Sequence, residues 1–149
     1  MEFRVPQPIR MEHEELLAQL ARATSVGGKV GEAAKAAAKV MHTHTLKEEE
    51  YALPPLGLLS RLAAGRVTPD MECVLELTNR LKEDLSYMLA EHRAIIASLM
   101  DLIDVSRAEG KPDCARLAER LILHAQVEEE IAYPATILIG EYLKLKLNR

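Results

Sequence analysis

Five histidines punctuate the chain: His13, His42, His44, His92 and His124. At helical spacing four of them fall among aliphatic side chains. His13 precedes Leu16, Leu17 and Leu20 by three, four and seven residues, which places it on an apolar stripe. His92 is flanked on its face by Leu85, Met88, Leu89, Ile95, Ile96 and Leu99. His124 shares a face with Leu117, Leu121, Val127 and Ile131, and His44 with Ala37, Val40 and Met41. His42 groups instead with Lys35, Lys39 and Glu49 on a solvated face. A lone inward histidine is ordinarily a hydrogen-bonded core residue; four of them require a common explanation.

The carboxylates supply one. Glu48 follows His44, and Glu128 follows His124, by four residues each. At about 100° per residue each carboxylate lies within about 40° of its histidine. The next residues, Glu49 and Glu50 or Glu129 and Glu130, rotate away by about 140° and 240° and belong to solvent on that arithmetic. Glu12 and Glu91, each just before a histidine, are likewise expected at the surface. The two halves of the chain repeat the pattern. Glu12-His13, His44-xxx-Glu48 and Pro54 recur as Glu91-His92, His124-xxx-Glu128 and Pro134, at an offset of 79 and then 80 residues. Burying four imidazoles and two carboxylates without a cation costs several kcal/mol per unpaired group. The pattern therefore predicts a metal site with ligands His13, His44, Glu48, His92, His124 and Glu128. Nitrogen and oxygen donors without thiolate suit iron, manganese or zinc. A single structural zinc needs only four ligands, so six donors from four helices point to two metals.

Helix punctuation shows which elements must carry these groups. The first helix is expected from about Pro8 to Thr24, ending at Gly27-Gly28. The second starts near Lys29, crosses an Ala-rich stretch, and reaches Pro54-Pro55, with a kinked continuation through Leu56–Ala64. Thr68-Pro69-Asp70 reads as the start of a third helix of about 40 residues, or roughly 60 Å. Its apolar stripe is expected to include Leu77, Leu81, Leu85, Leu89, Ile96, Leu99 and Ile103. Pro112-Asp113 opens a fourth helix that Pro134 interrupts. Short connections within each pair, and histidines at matching heights, predict an all-α, antiparallel up-down four-helix bundle over residues 1–149 as one domain.

The ordered set His13, His44-xxx-Glu48 with Pro54, His92, and His124-xxx-Glu128 with Pro134 resembles the hemerythrin-like, or HHE cation-binding, family. The resemblance covers the chain from His13 to about Gly140. It implies a non-haem di-iron centre held by those six residues, and chemistry with dioxygen, peroxide or nitric oxide. The oxygen carriers of that family add a fifth histidine from an HxxxH pair on the third helix. Here the positions four residues either side of His92 are Met88 and Ile96. Their second carboxylate is usually an aspartate five residues after its histidine, whereas Glu128 stands at four. The chain is thus more similar to the bacterial members with four histidines and two glutamates than to the oxygen carriers.

The expected function is binding, sensing or reaction with a small ligand at two iron ions, with manganese or zinc as substitutes. The alternatives are iron storage or delivery, and a structural or signalling bundle that a metal stabilises. No proton donor for enzymatic turnover is identifiable. Tyr51 falls three residues after Glu48 and is expected on the metal-facing side, as a core tyrosine below the site or a hydrogen-bonding group beside it. A net charge of −4, with no Trp and five aromatic residues in 149, gives no footprint for nucleic acid. No apolar run is long enough to cross a membrane. Cys73 and Cys114 form no disulfide framework, and the expected setting is the reducing cytoplasm, as monomer or homodimer.

Overall fold

The computed structural model describes residues 1–149 and contains helices only, four of them long segments packed as a bundle. Helix α1 (Gln7–Ala23) and α2 (Gly28–Lys47) form the first hairpin. A short helix, α3 (Leu59–Ala63), lies in the crossover that follows. Helix α4 (Leu75–Ala108) is the longest element, and α5 (Pro112–Val127) continues into α6 (Tyr133–Leu147) to complete the second hairpin. Around the bundle α2 packs on α4, α4 on α5 and α6, and α1 on α2 and α5.

The turns follow local chemistry. Gly27 and Gly28 (φ +83° and +57°) separate α1 from α2, and Gly110 (φ +67°) ends the turn after α4. These left-handed conformations cost a residue without a Cβ nothing extra. Thr68-Pro69-Asp70 does not start the long helix directly. Pro69–Val74 is a 3-10 turn, and α4 begins at Leu75, leaving 34 residues. Its length is therefore about 51 Å rather than 60 Å. The buried stripe of α4 also differs from the expected one. Leu81, Met88, Ile95 and Leu102 recur every seven residues, interleaved with Thr78, His92, Leu99 and Ser106. Leu77, Leu85, Leu89 and Ile96 flank that stripe and are only half-buried.

Both prolines act through the turn before them. Glu48–Ala52 and Glu128–Ala132 are single π-helical turns, in which the Leu53 and Tyr133 amides donate to the carbonyls of Glu48 and Glu128, five residues back. A proline ring inside a helix collides with the carbonyl four residues earlier, here that of Glu50 or Glu130. Widening the preceding turn relieves the collision. After Pro134 the helix resumes as α6. After the doublet Pro54-Pro55 it does not, and the chain turns through a 3-10 segment at Pro54–Leu58 into α3.

The apolar interior is divided in two. One cluster, including Leu16, Leu20, Ala34, Ala37, Leu99, Leu102, Ala118 and Leu121, fills the end of the bundle nearest the hairpin turns. The other, including Tyr51, Leu53, Leu58, Met71, Leu81, Met88, Tyr133 and Leu143, fills the opposite end. A buried polar layer lies between them.

A buried histidine–carboxylate centre

That layer is built from α1, α2, α4 and α5. His13 projects from α1, His44 from the last turn of α2, His92 from the middle of α4 and His124 from the last turn of α5. Glu48 and Glu128 open the two π-turns. Five of the six side chains are buried, and the His124 side chain retains 13% of its exposure. The structure thus brings together all six residues that the sequence singled out.

Their arrangement pairs histidines across the two halves of the repeat. The rings of His44 and His92 meet at a tilt, 4.5 Å between centroids, and those of His13 and His124 edge to face at 4.6 Å. The two carboxylates run between the pairs. Glu48 turns Oε1 to His44 Nε2 (2.7 Å) and Oε2 toward His13 Nε2 (3.6 Å). Glu128 turns Oε1 to His92 Nε2 (3.3 Å) and Oε2 to the Nε2 atoms of His13 (3.0 Å) and His124 (3.3 Å). Two groups of donor atoms result, each within 4.8 Å: His44, Glu48, His92 and Glu128 in one, and His13, His124 and Glu128 in the other.

The electrostatics are those of a site built around positive charge. Burial, reinforced by the hydrogen bond and charge of Glu128, pushes the Glu48 carboxyl well above the usual carboxylate range. Burial would raise Glu128 too, but the facing Glu48 and the imidazoles of His124, His13 and His92 outweigh it and hold Glu128 well below that range. Burial and the neighbouring His92 push His44 down to about 4, so its imidazole is neutral and its lone pair is available. Burial opposes charge on His124, yet Glu128 and Glu12 raise it overall. Glu48 Oε2 and His124 Nε2 are buried without a hydrogen-bond partner. An unsatisfied buried polar atom costs about 1–3 kcal/mol. A cation bound between the donors would remove that cost. The residues present fit a metal.

Three outer carboxylates were not expected to take part. Glu12 accepts from His124 Nδ1 at 2.6 Å, and Glu129 from His92 Nδ1 at 3.0 Å. Glu91 lies 3.6 Å from His44 Nδ1 and is held by Lys47 at 3.0 Å. Glu12 thus serves His124, the pair-mate of the histidine it precedes; Glu91 stands in the equivalent place beside His44 without reaching Nδ1, which is buried and has no hydrogen-bond partner. A carboxylate on the far nitrogen fixes the tautomer and orientation of a ligating imidazole and raises its basicity. The repeated Glu-His dipeptide is the signal that marks Glu12 and Glu91. Glu129 carries none, because it reaches His92 by way of the π-turn.

Of two buried tyrosines near the centre, one lies as the sequence suggested and the other was not foreseen. Tyr51 is fully buried, but its hydroxyl donates to Asp84 Oδ2 (3.0 Å) and its ring lies under Arg80, so it is a core residue below the site. Tyr133, which the sequence reading did not single out, has its hydroxyl 3.1 Å from both His44 Nε2 and His92 Nε2. Burial and the charges of Glu48 and Glu128 push its pKa upward and keep it a neutral phenol. On regular helical arithmetic Tyr133 is about 140° away from Glu128. The π-turn, closing five residues on, brings it back to the same face.

A small cavity of about 30 Å³ lies within the centre, lined by all six inward residues and Thr45 and walled by Leu16, Leu17, Met41, Ile95, Leu121 and Ala125. On the faces around the centre, Val127 and Ile131 are exposed rather than core residues, as is Val40. No helix is long and apolar enough to cross a membrane.

Comparison with known proteins agrees with this geometry. Residues 7–136 match the Hemerythrin HHE cation binding domain. No curated protein and no solved structure gives a significant match. With the matched span covering all six inward residues and most of the bundle, the chain belongs to the hemerythrin HHE cation-binding family.

Proposed function

We propose that the domain, residues 1–149, holds two iron ions through His13, His44, Glu48, His92, His124 and Glu128, and that it binds, senses or reacts with dioxygen, peroxide or nitric oxide there. The observation that carries the reading is the disposition of the carboxylates, each with one oxygen toward each histidine pair. A single cation would leave one pair of imidazoles and half of each carboxylate unused; two cations use every inward donor. His44 with His92 serves one position, and His13 with His124 the other. Manganese or zinc would suit the same donors. Bound iron supplies electron density to a small ligand, and the chain supplies the rest. The imidazoles fix the spacing, the outer carboxylates orient them, and the small cavity that the donors share with Leu16, Leu17, Met41, Ile95 and Leu121 limits a ligand to a few atoms.

The cavity among the donors is the space in which cations and a small ligand would sit. It exceeds the roughly 10–15 Å³ needed for one water, and the inward histidines and carboxylates line it together with aliphatic side chains. Tyr133 is the one hydroxyl aimed at the centre from outside the histidine and carboxylate set. Cys73 is exposed and Cys114 half-buried, both free, in keeping with a reducing cytoplasm. The test is metal content per chain, with an absorption spectrum, on protein loaded with iron anaerobically and then exposed to air or nitric oxide. The expected result is about two irons with new near-ultraviolet and visible bands. Bound metal with a spectrum indifferent to both gases would leave a structural cation. Uptake well beyond two ions per chain would mean storage.

A further inference from the structure

Away from the metal centre, the segment 2–6 lies as a strap across the turn between Pro54 and α3. It is seated closely. A Cβ on Gly57 would collide with the Arg4 carbonyl, and Arg61 Nη2 donates to the Glu2 carbonyl at 3.1 Å. Between strap, turn and the start of α1 is a groove of about 600 Å³ lined by Arg4, Arg10, Arg61, Gln7 and Ser60, with Glu2 as its one carboxylate.

Three arginines thus line one concavity in a chain whose net charge is −4. Arg80, Arg107, Arg116 and Arg149 each hold a carboxylate; Arg4, Arg10 and Arg61, like Arg22, Arg66, Arg93 and Arg120 elsewhere, enter no ion pair, and only these three share a groove. The first turn of the 17-residue α1 faces the same groove through Gln7; it has neither a side-chain cap nor an acidic residue. Clustered like charges repel until an anion occupies the space between them, and helix-start amides add donors of the same sense. Arginine favours planar or tetrahedral oxyanions because its paired donors match two oxygens at once.

We propose that this groove is a binding site for a small multivalent oxyanion, clasped by Arg4, Arg10 and Arg61 with the start of α1 and the Ser60 hydroxyl. The shared chemistry is a cluster of anionic oxygens, carried by a phosphate group or by a polycarboxylate. Glu2 makes a singly charged ligand a poor occupant. The site is independent of which metal the centre holds.

The test titrates the zinc-loaded full chain with inorganic phosphate and, separately, with citrate, following amide and arginine side-chain resonances. The expected result is saturable binding of at least one probe, with shifts centred on Gln7, Gly57 and Ser60. Arg10→Ala and Arg61→Ala each weaken it at least tenfold; Arg10→Lys, which keeps the charge and removes the fork, weakens it less. Preference for phosphate assigns a phosphorylated ligand, and preference for citrate a polycarboxylate. Shifts that never saturate, shifts confined to residues of the metal centre, or binding that survives in folded Arg10→Ala and Arg61→Ala proteins would overturn the proposal. Should an alanine variant fail to fold, Arg10→Lys decides: unchanged binding there refutes the clasp.

Discussion

Replacing Glu129 by Gln should weaken cation binding although Glu129 reaches no proposed ligand position. Its Oε1 lies 3.0 Å from His92 Nδ1; its side chain is 31% exposed, and that of His92 is 1% exposed. A hydrogen bond to a charged group is worth about 1.5–3 kcal/mol, roughly twice a neutral one. Glutamine keeps an acceptor and loses the charge, so the expected deficit is about 1–2 kcal/mol, or about five- to thirtyfold in affinity. Glu12 provides the internal control. It lies closer to its imidazole, at 2.6 Å from His124 Nδ1, but is 54% exposed. Solvent screening reduces such a pair to about 0.2–1 kcal/mol, so Glu12→Gln should cost no more than about fivefold. The assay is competition for cobalt(II) between each protein and a chromophoric chelator. Unchanged affinity in Glu129→Gln would refute the claim that outer carboxylates tune the imidazoles. A larger effect in Glu12→Gln would refute the ranking by burial.

Three further substitutions test other parts of the structure. Glu128 contacts three histidines across both donor groups and Glu48 belongs to only one group, so Glu128→Ala should retain less metal than Glu48→Ala; equal metal contents by elemental analysis would contradict the placement. Tyr133→Phe removes one hydroxyl from two imidazoles and should lower stability by about 1 kcal/mol, or roughly 2–4 °C in Tm, and weaken cation binding; a melting curve and a cobalt titration both matching the parent would show that the phenol is idle. Gly140→Ala would bring a Cβ to 2.7 Å from Thr78 Cβ where α6 crosses α4, an overpacking cost of about 1–3 kcal/mol that thermal denaturation reads as a fall of roughly 3–10 °C.

The sequence and the structure agree where position depends on regular helical rotation. His13, His44, His92 and His124 lie within α-helices, and Glu48 and Glu128 are the first residues beyond α2 and α5, so a 100° step still places all six on the inward face. Alternation between aliphatic and charged side chains then decides which face is buried. Agreement stops where the backbone departs from that step. Glu129 and Tyr133 lie within or just beyond a π-turn, so their rotation is miscounted. The start of α4 was read too early because Thr-Pro-Asp suits the entry to a 3-10 turn as well as to an α-helix. Glu12 and Glu91 were misread for another reason. A long carboxylate at the rim of a helix face reaches sideways to the neighbouring helix, and rotation about one axis does not describe that reach.

The two prolines connect these failures to the function. Each stands six residues after an inward glutamate, and each forces the intervening turn to widen. The widened turn lets the carboxylate point into the bundle while the chain below continues on a displaced face. In the first half the doublet Pro54-Pro55 ends the helix, and the position equivalent to Tyr133 is Leu53, packed in the lower apolar cluster. In the second half a single proline lets the helix resume, and Tyr133 stands beneath the His44 and His92 rings. Thr136, one turn further on, donates to the Ala52 carbonyl at 2.7 Å and ties the second widened turn to the first. A duplicated helical hairpin thereby acquires two unlike sides. One histidine pair gathers with both carboxylates beside a phenol, and the other gathers with Glu128 alone and is more exposed. The asymmetry arises from one additional proline and one tyrosine, and not from any change in the six inward residues.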